Sequence, residues 1–270
     1  MKSLLTIILA ISCGVMLIGG NIYWDKKISA YAQKPIEKTE STKKIEKKEP
    51  EQKSIKVEES KNDVLISYTK NWPTQASGMF SKHLAAHEPF QFLIIGSNAI
   101  GTSSHGWAYS LETKLIETYG QDNFQVSIKP FDNTSTKFIN DKKHTELTAQ
   151  RADIVLFEPF TLNDNGNIPT KNSLANITTF TEEYKKKNPQ STFILIPPHP
   201  IYNAIYYPKQ VADLAKYAEE NKIPFLNHWT VWPSSSSKSI KDYLLPDQSA
   251  PNEKGAQLIS DYLAKYFIAR

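Results

Sequence analysis

Hydrophobic and polar positions divide the chain into three regimes. The first is an unbroken apolar run. Leu4 to Trp24 reads LLTIILAISCGVMLIGGNIYW, without a single charge. At about 1.5 Å per residue it would extend roughly 30 Å, the depth of a bilayer core. Lys2 precedes it, Asp25, Lys26 and Lys27 follow it, and Tyr23 and Trp24 occupy the place of interfacial aromatics. No small-x-small cleavage site interrupts the run, so residues 1–24 are expected to be an uncleaved signal-anchor. The domain that follows is then extracellular, on a single-pass protein of the cell membrane. Two alternatives stay open. Ala10-Ile11-Ser12-Cys13 loosely resembles a lipoprotein cleavage box, although apolar residues continue past Cys13. The more basic flank lies after the run, which would favour the inverted orientation.

The second regime, residues 25–63, interleaves Lys and Glu and has almost no large apolar side chains. Such a segment cannot bury enough surface to offset its ordering entropy and reads as a charged flexible tether. Pro35 and Pro50 interrupt any helix that Lys–Glu pairing would favour.

From residue 64 to 270 short apolar runs alternate with segments of helical period. FQFLII, ending at Gly96, predicts a first strand. A helix carries Trp107, Leu111, Leu115 and Ile116 and closes at Gly120. FQVSIKPF (124–131), DIVLFE (153–158), TFILIP (192–197) and IPFLN (223–227) predict four more strands. Helices are expected over 174–188, 208–222 and 252–267. Five buried-looking strands separated by helices predict a three-layer α/β sandwich around a five-stranded parallel sheet, flavodoxin-like in order.

Charge and cysteine usage narrow the function classes. Residues 1–63 carry twelve Lys against nine Asp and Glu, which leaves twenty basic and nineteen acidic residues in 64–270. The folded part is near neutral, which gives no case for nucleic-acid binding. The single cysteine, Cys13, lies in the apolar run, so no disulfide framework and no Cys-based metal site is possible downstream. His83 and His87 have a ligand-like spacing but no third ligand nearby and read as surface histidines.

In a parallel α/β sheet ligands sit at the carboxyl ends of the strands, so the residues just after each strand are informative. Ser97 stands at the first strand-to-helix turn, a position that exposes a hydroxyl to the following helix N-terminus. Asn163-Asp164 follows the third strand, His199 the fourth, and Asp247 precedes the last helix. Each has a plainer reading. Ser97 would cap its turn, Asn163-Asp164 would form an Asx-turn, and Asp247 would be an acid near the helix start. Tyr202, Tyr206, Tyr207, Trp229 and Trp232 suit sugar stacking or hydrophobic packing equally.

These blocks resemble the SGNH (GDSL-like) hydrolase family over roughly residues 90–270. The closest block is Asp247-Gln248-Ser249-Ala250-Pro251-Asn252 with Gly255, then Thr161-Leu162-Asn163-Asp164. The resemblance implies ester or acetyl-ester hydrolysis without a cofactor. With a membrane tether, it suggests an acylated carbohydrate of the cell envelope, or another small ester, as substrate. Ser97 would be the nucleophile, Asn163 an oxyanion donor and Asp247 the orienting acid. The blocks are degenerate. Aligned on Gly96 the family serine falls on Asn98; aligned on Ser97, the preferred register, Gly101 is kept but the family aspartate becomes Gly96. Asn133-Thr134-Ser135 stands where the second block has its glycine, Thr161 where the third has its own, and the family histidine falls on Ala250. His199 is the replacement base of choice. His105 is expected to help start its helix and His228 to pack beside Trp229 and Trp232. Two functions therefore remain: an esterase or deacetylase with a non-standard base, or a relative that binds glycans or scaffolds envelope assembly without turnover.

Overall fold

The computed structural model describes residues 61–270. The expected anchor and all but the last residues of the expected tether lie outside that range. Among the described residues no helix is long and apolar enough to cross a membrane.

The chain runs through α1 (Thr74–Ala86), β1 (Phe90–Ser97), α2 (Trp107–Tyr119), β2 (Phe124–Phe131), α3 (Ser135–Asn140), α4 (Lys143–Leu147), β3 (Ile154–Phe157), α5 (Thr161–Asp164), α6 (Thr170–Lys187), β4 (Thr192–Leu195), α7 (Tyr207–Glu220) and α8 (Glu253–Phe267). The strands form one parallel sheet in the order β2-β1-β3-β4. Alternation along the strands assigns each side chain to a face. Phe92, Ile94, Ile154, Leu156 and Ile194 join one apolar cluster with α1, α2 and α8. Leu93, Ile95, Val155, Phe157 and Phe193 join another with α3, α6 and α7. Both faces of the sheet are thus covered, and the expected three layers are present.

The expected fifth strand is not formed. IPFLN contributes one isolated parallel bridge, Leu195 with Phe225. Leu195 N–H donates to Pro224 O at 2.8 Å and Leu226 N–H to Leu195 O at 2.9 Å. Pro224 itself has no N–H to extend the ladder. Asn227 then ends it by capping a 3₁₀ turn, its side chain accepting from Trp229 N–H. The sheet therefore has four strands, with this segment lying against the edge of β4.

Candidate active site

The order β2-β1-β3-β4 makes the chain leave β1 to opposite sides, first to β2 and later to β3. The carboxyl ends of β1 and β3 flank that reversal, where a crevice opens in folds of this kind. β1 ends on Ser97 and β3 is followed directly by Glu158. Ser97 Oγ donates to Glu158 Oε1 at 2.6 Å, and Ser97 N–H reaches the same oxygen at 3.2 Å. Gly96 permits this approach: a Cβ there would meet Glu158 Cβ at 2.9 Å and Ile100 Cγ2 at 2.5 Å. Ser97 is 4% exposed and Glu158 1%. Burial pushes the Glu158 carboxyl up to about 8, against the opposing pull of its two hydrogen bonds from Ser97. At neutral pH it is mostly a protonated acid, ionising on the alkaline side.

Ser97 also does what its plainer reading required, since its Oγ accepts from Ala99 N–H at 3.3 Å and caps the 3₁₀ turn Asn98–Ile100. Asn98, the residue that the alternative register puts in the serine's place, is exposed.

The second and third turns are tied together. Ser135 N–H donates to Asp164 Oδ1 at 2.8 Å, and Asn176 Nδ2 donates to Ser135 Oγ at 2.9 Å. Asn163 is half-buried; its carbonyl accepts from Asn167 Nδ2 at 3.0 Å, and its own side-chain amide makes no hydrogen bond among the described residues. Thr134 caps α3 as its place in the turn suggests.

The histidines of the far side make no hydrogen bond to Ser97, although His199 Nδ1 is a buried nitrogen without a hydrogen-bond partner among the described residues. His199 is 1% exposed, with Nε2 hydrogen-bonded to Gln248 O at 3.0 Å. Its own carbonyl accepts from Tyr207 Oη at 3.0 Å. His228 Nε2 donates to Pro197 O at 2.8 Å, so its Nδ1 is the acceptor that takes the Trp232 Nε1 proton at 3.1 Å. Burial drives both imidazoles down to about 4, which keeps them neutral. Asp247 is exposed; it accepts from Ser249 N–H at 3.0 Å and Ser249 Oγ at 2.7 Å, and those bonds lower its pKa. No hydrogen bond among the described residues joins Ser97 to Asn163, His199 or Asp247. The polar group brought to Ser97 is Glu158, which the sequence reading treated only as the end of a strand. One signal could have found it: an acid closing the apolar run IVLF at the carboxyl end of a parallel strand.

Two smaller expectations are settled. His83 is half-buried, its Nε2 meeting Asp153 Oδ1 at 3.2 Å on the opposite edge of the sheet, whereas His87 is exposed. His105 lies ahead of α2 with Nδ1 on Thr102 Oγ1 at 2.9 Å. Among the described residues no group of three or more His, Cys, Asp or Glu is arranged to hold a metal ion.

No family model and no curated protein matches the sequence. Solved structures do share its fold. A GDSL-like lipase candidate from Parabacteroides merdae superposes with a TM-score of 0.57 at 13% identity, covering 67% of this chain and 96% of that one. The acetylxylan esterase of Geobacillus stearothermophilus gives 0.55 at 14%, covering 67% and 94%. A lipolytic protein of the G-D-S-L family from Desulfitobacterium hafniense gives 0.52 at 16%, covering 65% and 98%. The chain therefore has the parallel α/β fold of GDSL-like lipases and acetylxylan esterases. At these identities the likeness concerns the fold alone.

Proposed function

We propose that this chain is a GDSL-like ester hydrolase acting on an acylated carbohydrate of the cell envelope, with Glu158 in the role of the missing imidazole. The observation that carries the reading is the 2.6 Å contact between Ser97 Oγ and Glu158 Oε1 at the switch point of the sheet. A base must first lie within hydrogen-bond reach of the proton it takes, and then have a pKa near the working pH. Glu158, at about 8, meets both demands. An ordinary exposed carboxylate such as Asp247 would be too weak a base.

In this mechanism the ionised Glu158 accepts the Ser97 proton as Oγ attacks the acyl carbonyl. The tetrahedral intermediate collapses, the sugar alkoxide takes that proton from Glu158, and acyl-Ser97 remains. Water, deprotonated by the same carboxylate, then attacks the acyl carbon, and Ser97 Oγ leaves with the proton returned by Glu158, releasing the free acid and restoring the starting state. Asn98, exposed beside the nucleophile, and Asn163, with an uncommitted amide, are the proposed oxyanion donors. The expected anchor would hold the domain outside the membrane, beside such a substrate.

A second reading, binding without turnover, has its own observation. The Ser97 N–H is also spent on Glu158, and no imidazole reaches the hydroxyl. The test is hydrolysis of p-nitrophenyl acetate and of acetylated xylo-oligosaccharide by the full chain, Ser97→Ala and Glu158→Gln between pH 6 and 9. The hydrolase should rise about tenfold per pH unit up to a midpoint near 8, because only ionised Glu158 serves. Ser97→Ala should lose about 10³-fold or more. Equal rates in the wild type and Ser97→Ala would discard Ser97 as the nucleophile, and no hydrolysis above background by the wild type would support the binding reading instead.

A further inference from the structure

A cleft of about 600 Å³ opens beside α5, between the turn leading into α6 and the start of α7. Asn165 and Asn167 line one wall, and Tyr206, Lys209 and Asp213 the other. The volume lies within the range of roughly 300–1,000 Å³ typical of small-ligand sites.

Tyr206 is 76% exposed, an unusual state for a large aromatic, and its ring makes no aromatic contact and its hydroxyl no hydrogen bond among the described residues. The ring is not loosely held at its base. Tyr206 is the N-cap residue of α7, its carbonyl accepts from Lys209 N–H at 3.1 Å, and a proline follows in the first helical turn. The facing wall is equally fixed. Asn167 Nδ2 is anchored on Asn163 O, Gly166 turns the chain at φ +79°, and Pro169, with its fixed φ, stands at the N-cap position of α6. Proline-locked walls lose little freedom when a ligand enters.

The charges in the cleft are also uncommitted. Lys216 and Glu220, two turns further along α7, pair across i,i+4 at 3.7 Å. Lys209 and Asp213 have the same spacing and line the cleft, yet form no ion pair among the described residues. One cation, one anion and three amides (Asn165, Asn167 and Gln210) give no net charge and many donors and acceptors. That set fits neutral vicinal hydroxyls, and an open aromatic ring beside it fits the apolar face of a sugar. An anionic polymer would want a basic surplus, and a lipid surface a continuous apolar patch.

We infer that this cleft is a subsite for a neutral oligosaccharide, with Tyr206 as the stacking platform and Asn165, Asn167, Lys209 and Asp213 as hydroxyl partners. The inference rests on the carbohydrate-ester reading above and extends it, since the cleft begins one residue beyond the α5 turn that carries Asn163. A glycan chain seated here would run toward the sheet edge.

Calorimetric titration of the full-length protein with xylotetraose and with the N-acetylglucosamine tetramer tests it, because neither sugar needs to be hydrolysed. At least one should bind saturably with a Kd of about 1 mM or tighter. Tyr206→Ala should weaken that binding about tenfold or more, Tyr206→Phe by less than about threefold, and Asp213→Ala by an intermediate amount. Tyr109→Ala, an exposed tyrosine on α2, should bind as wild type and serves as control. Absence of binding to both sugars up to about 10 mM overturns the inference. So does unchanged binding in Tyr206→Ala. A wild type that binds sugar but hydrolyses no ester would sink the catalytic reading and leave this subsite standing.

Discussion

Two stretches of the same sheet edge hold buried ionisable groups, and they use burial in opposite ways. At the ends of β1 and β3, Glu158 is held as a protonated acid against Ser97, with its pKa near 8. Beyond the end of β4, His199 and His228 are held as neutral imidazoles near 4, with ring nitrogens bonded to backbone carbonyls. Desolvation favours the uncharged form in both places. For an acid that raises the pKa into the working range of a general base; for a histidine it lowers the pKa out of that range. The residue type expected to do the chemistry is thereby turned into scaffolding, and the one expected to close a strand is left poised for proton transfer.

The sharpest way to break this contrast is to exchange activity for stability across it. Glu158→Gln should cut ester hydrolysis by about 10²-fold or more while retaining the acceptor oxygen for Ser97. His199→Asn should leave turnover per folded molecule within about threefold of wild type. If His199→Asn abolishes turnover and Glu158→Gln does not, the roles drawn here are reversed and the histidine is the base after all.

The next effect is structural. His228 is fully enclosed, donates to Pro197 O and accepts from Trp232 Nε1. His228→Ala removes both bonds and leaves a cavity, at a cost of about 3 kcal/mol in unfolding free energy. Denaturant unfolding of the two proteins measures it. A loss below about 1 kcal/mol would mean that the Trp232–His228–Pro197 relay does not hold the far side.

Much of this architecture is legible in the sequence, and the reason is periodic. Strands β1, β2, β3 and β4 fall inside FQFLII with its flanks, FQVSIKPF, DIVLFE and TFILIP, because an enclosed parallel strand must be almost wholly apolar. IPFLN carries the same signal, but Pro224 and Asn227 are local chemistry that hydropathy does not register. The site is harder to read. Topology puts Ser97 at the end of β1, Asn163 after β3, His199 after β4 and Asp247 before α8, yet which side chains meet depends on their direction and burial. Glu158 escaped notice because an acid after an apolar run looks like the point where the chain returns to solvent. In three dimensions Gly96, on the neighbouring strand, leaves room for it to turn inward, and a missing side chain about sixty residues earlier in the sequence carries no local signature.

The gentlest test sets the two regions against each other by pH. Glu158 has a folded pKa of about 8 against an ordinary 4.5, so the native state holds a proton that the unfolded chain has lost. Its contribution is complete below about 4.5 and disappears as pH rises through 8. His199 and His228 have the opposite sign. Their folded values near 4 lie below the ordinary 6.5, so their contribution is complete above 6.5 and disappears as pH falls through 4. Between 4.5 and 6.5 two histidines work against one glutamate, and stability should rise with pH; between 6.5 and 8 the glutamate acts alone, and stability should fall. The maximum is expected near pH 6.5. Glu158→Gln should flatten the alkaline slope and keep the acid one, whereas Asp247→Asn, at an exposed carboxylate, should leave the whole profile in place. Urea unfolding at half-unit steps from pH 4 to 9 reads both limbs. An alkaline decline that survives in Glu158→Gln would show that the proton released near pH 8 belongs to another group, and would remove the electrostatic ground for placing the base beside Ser97.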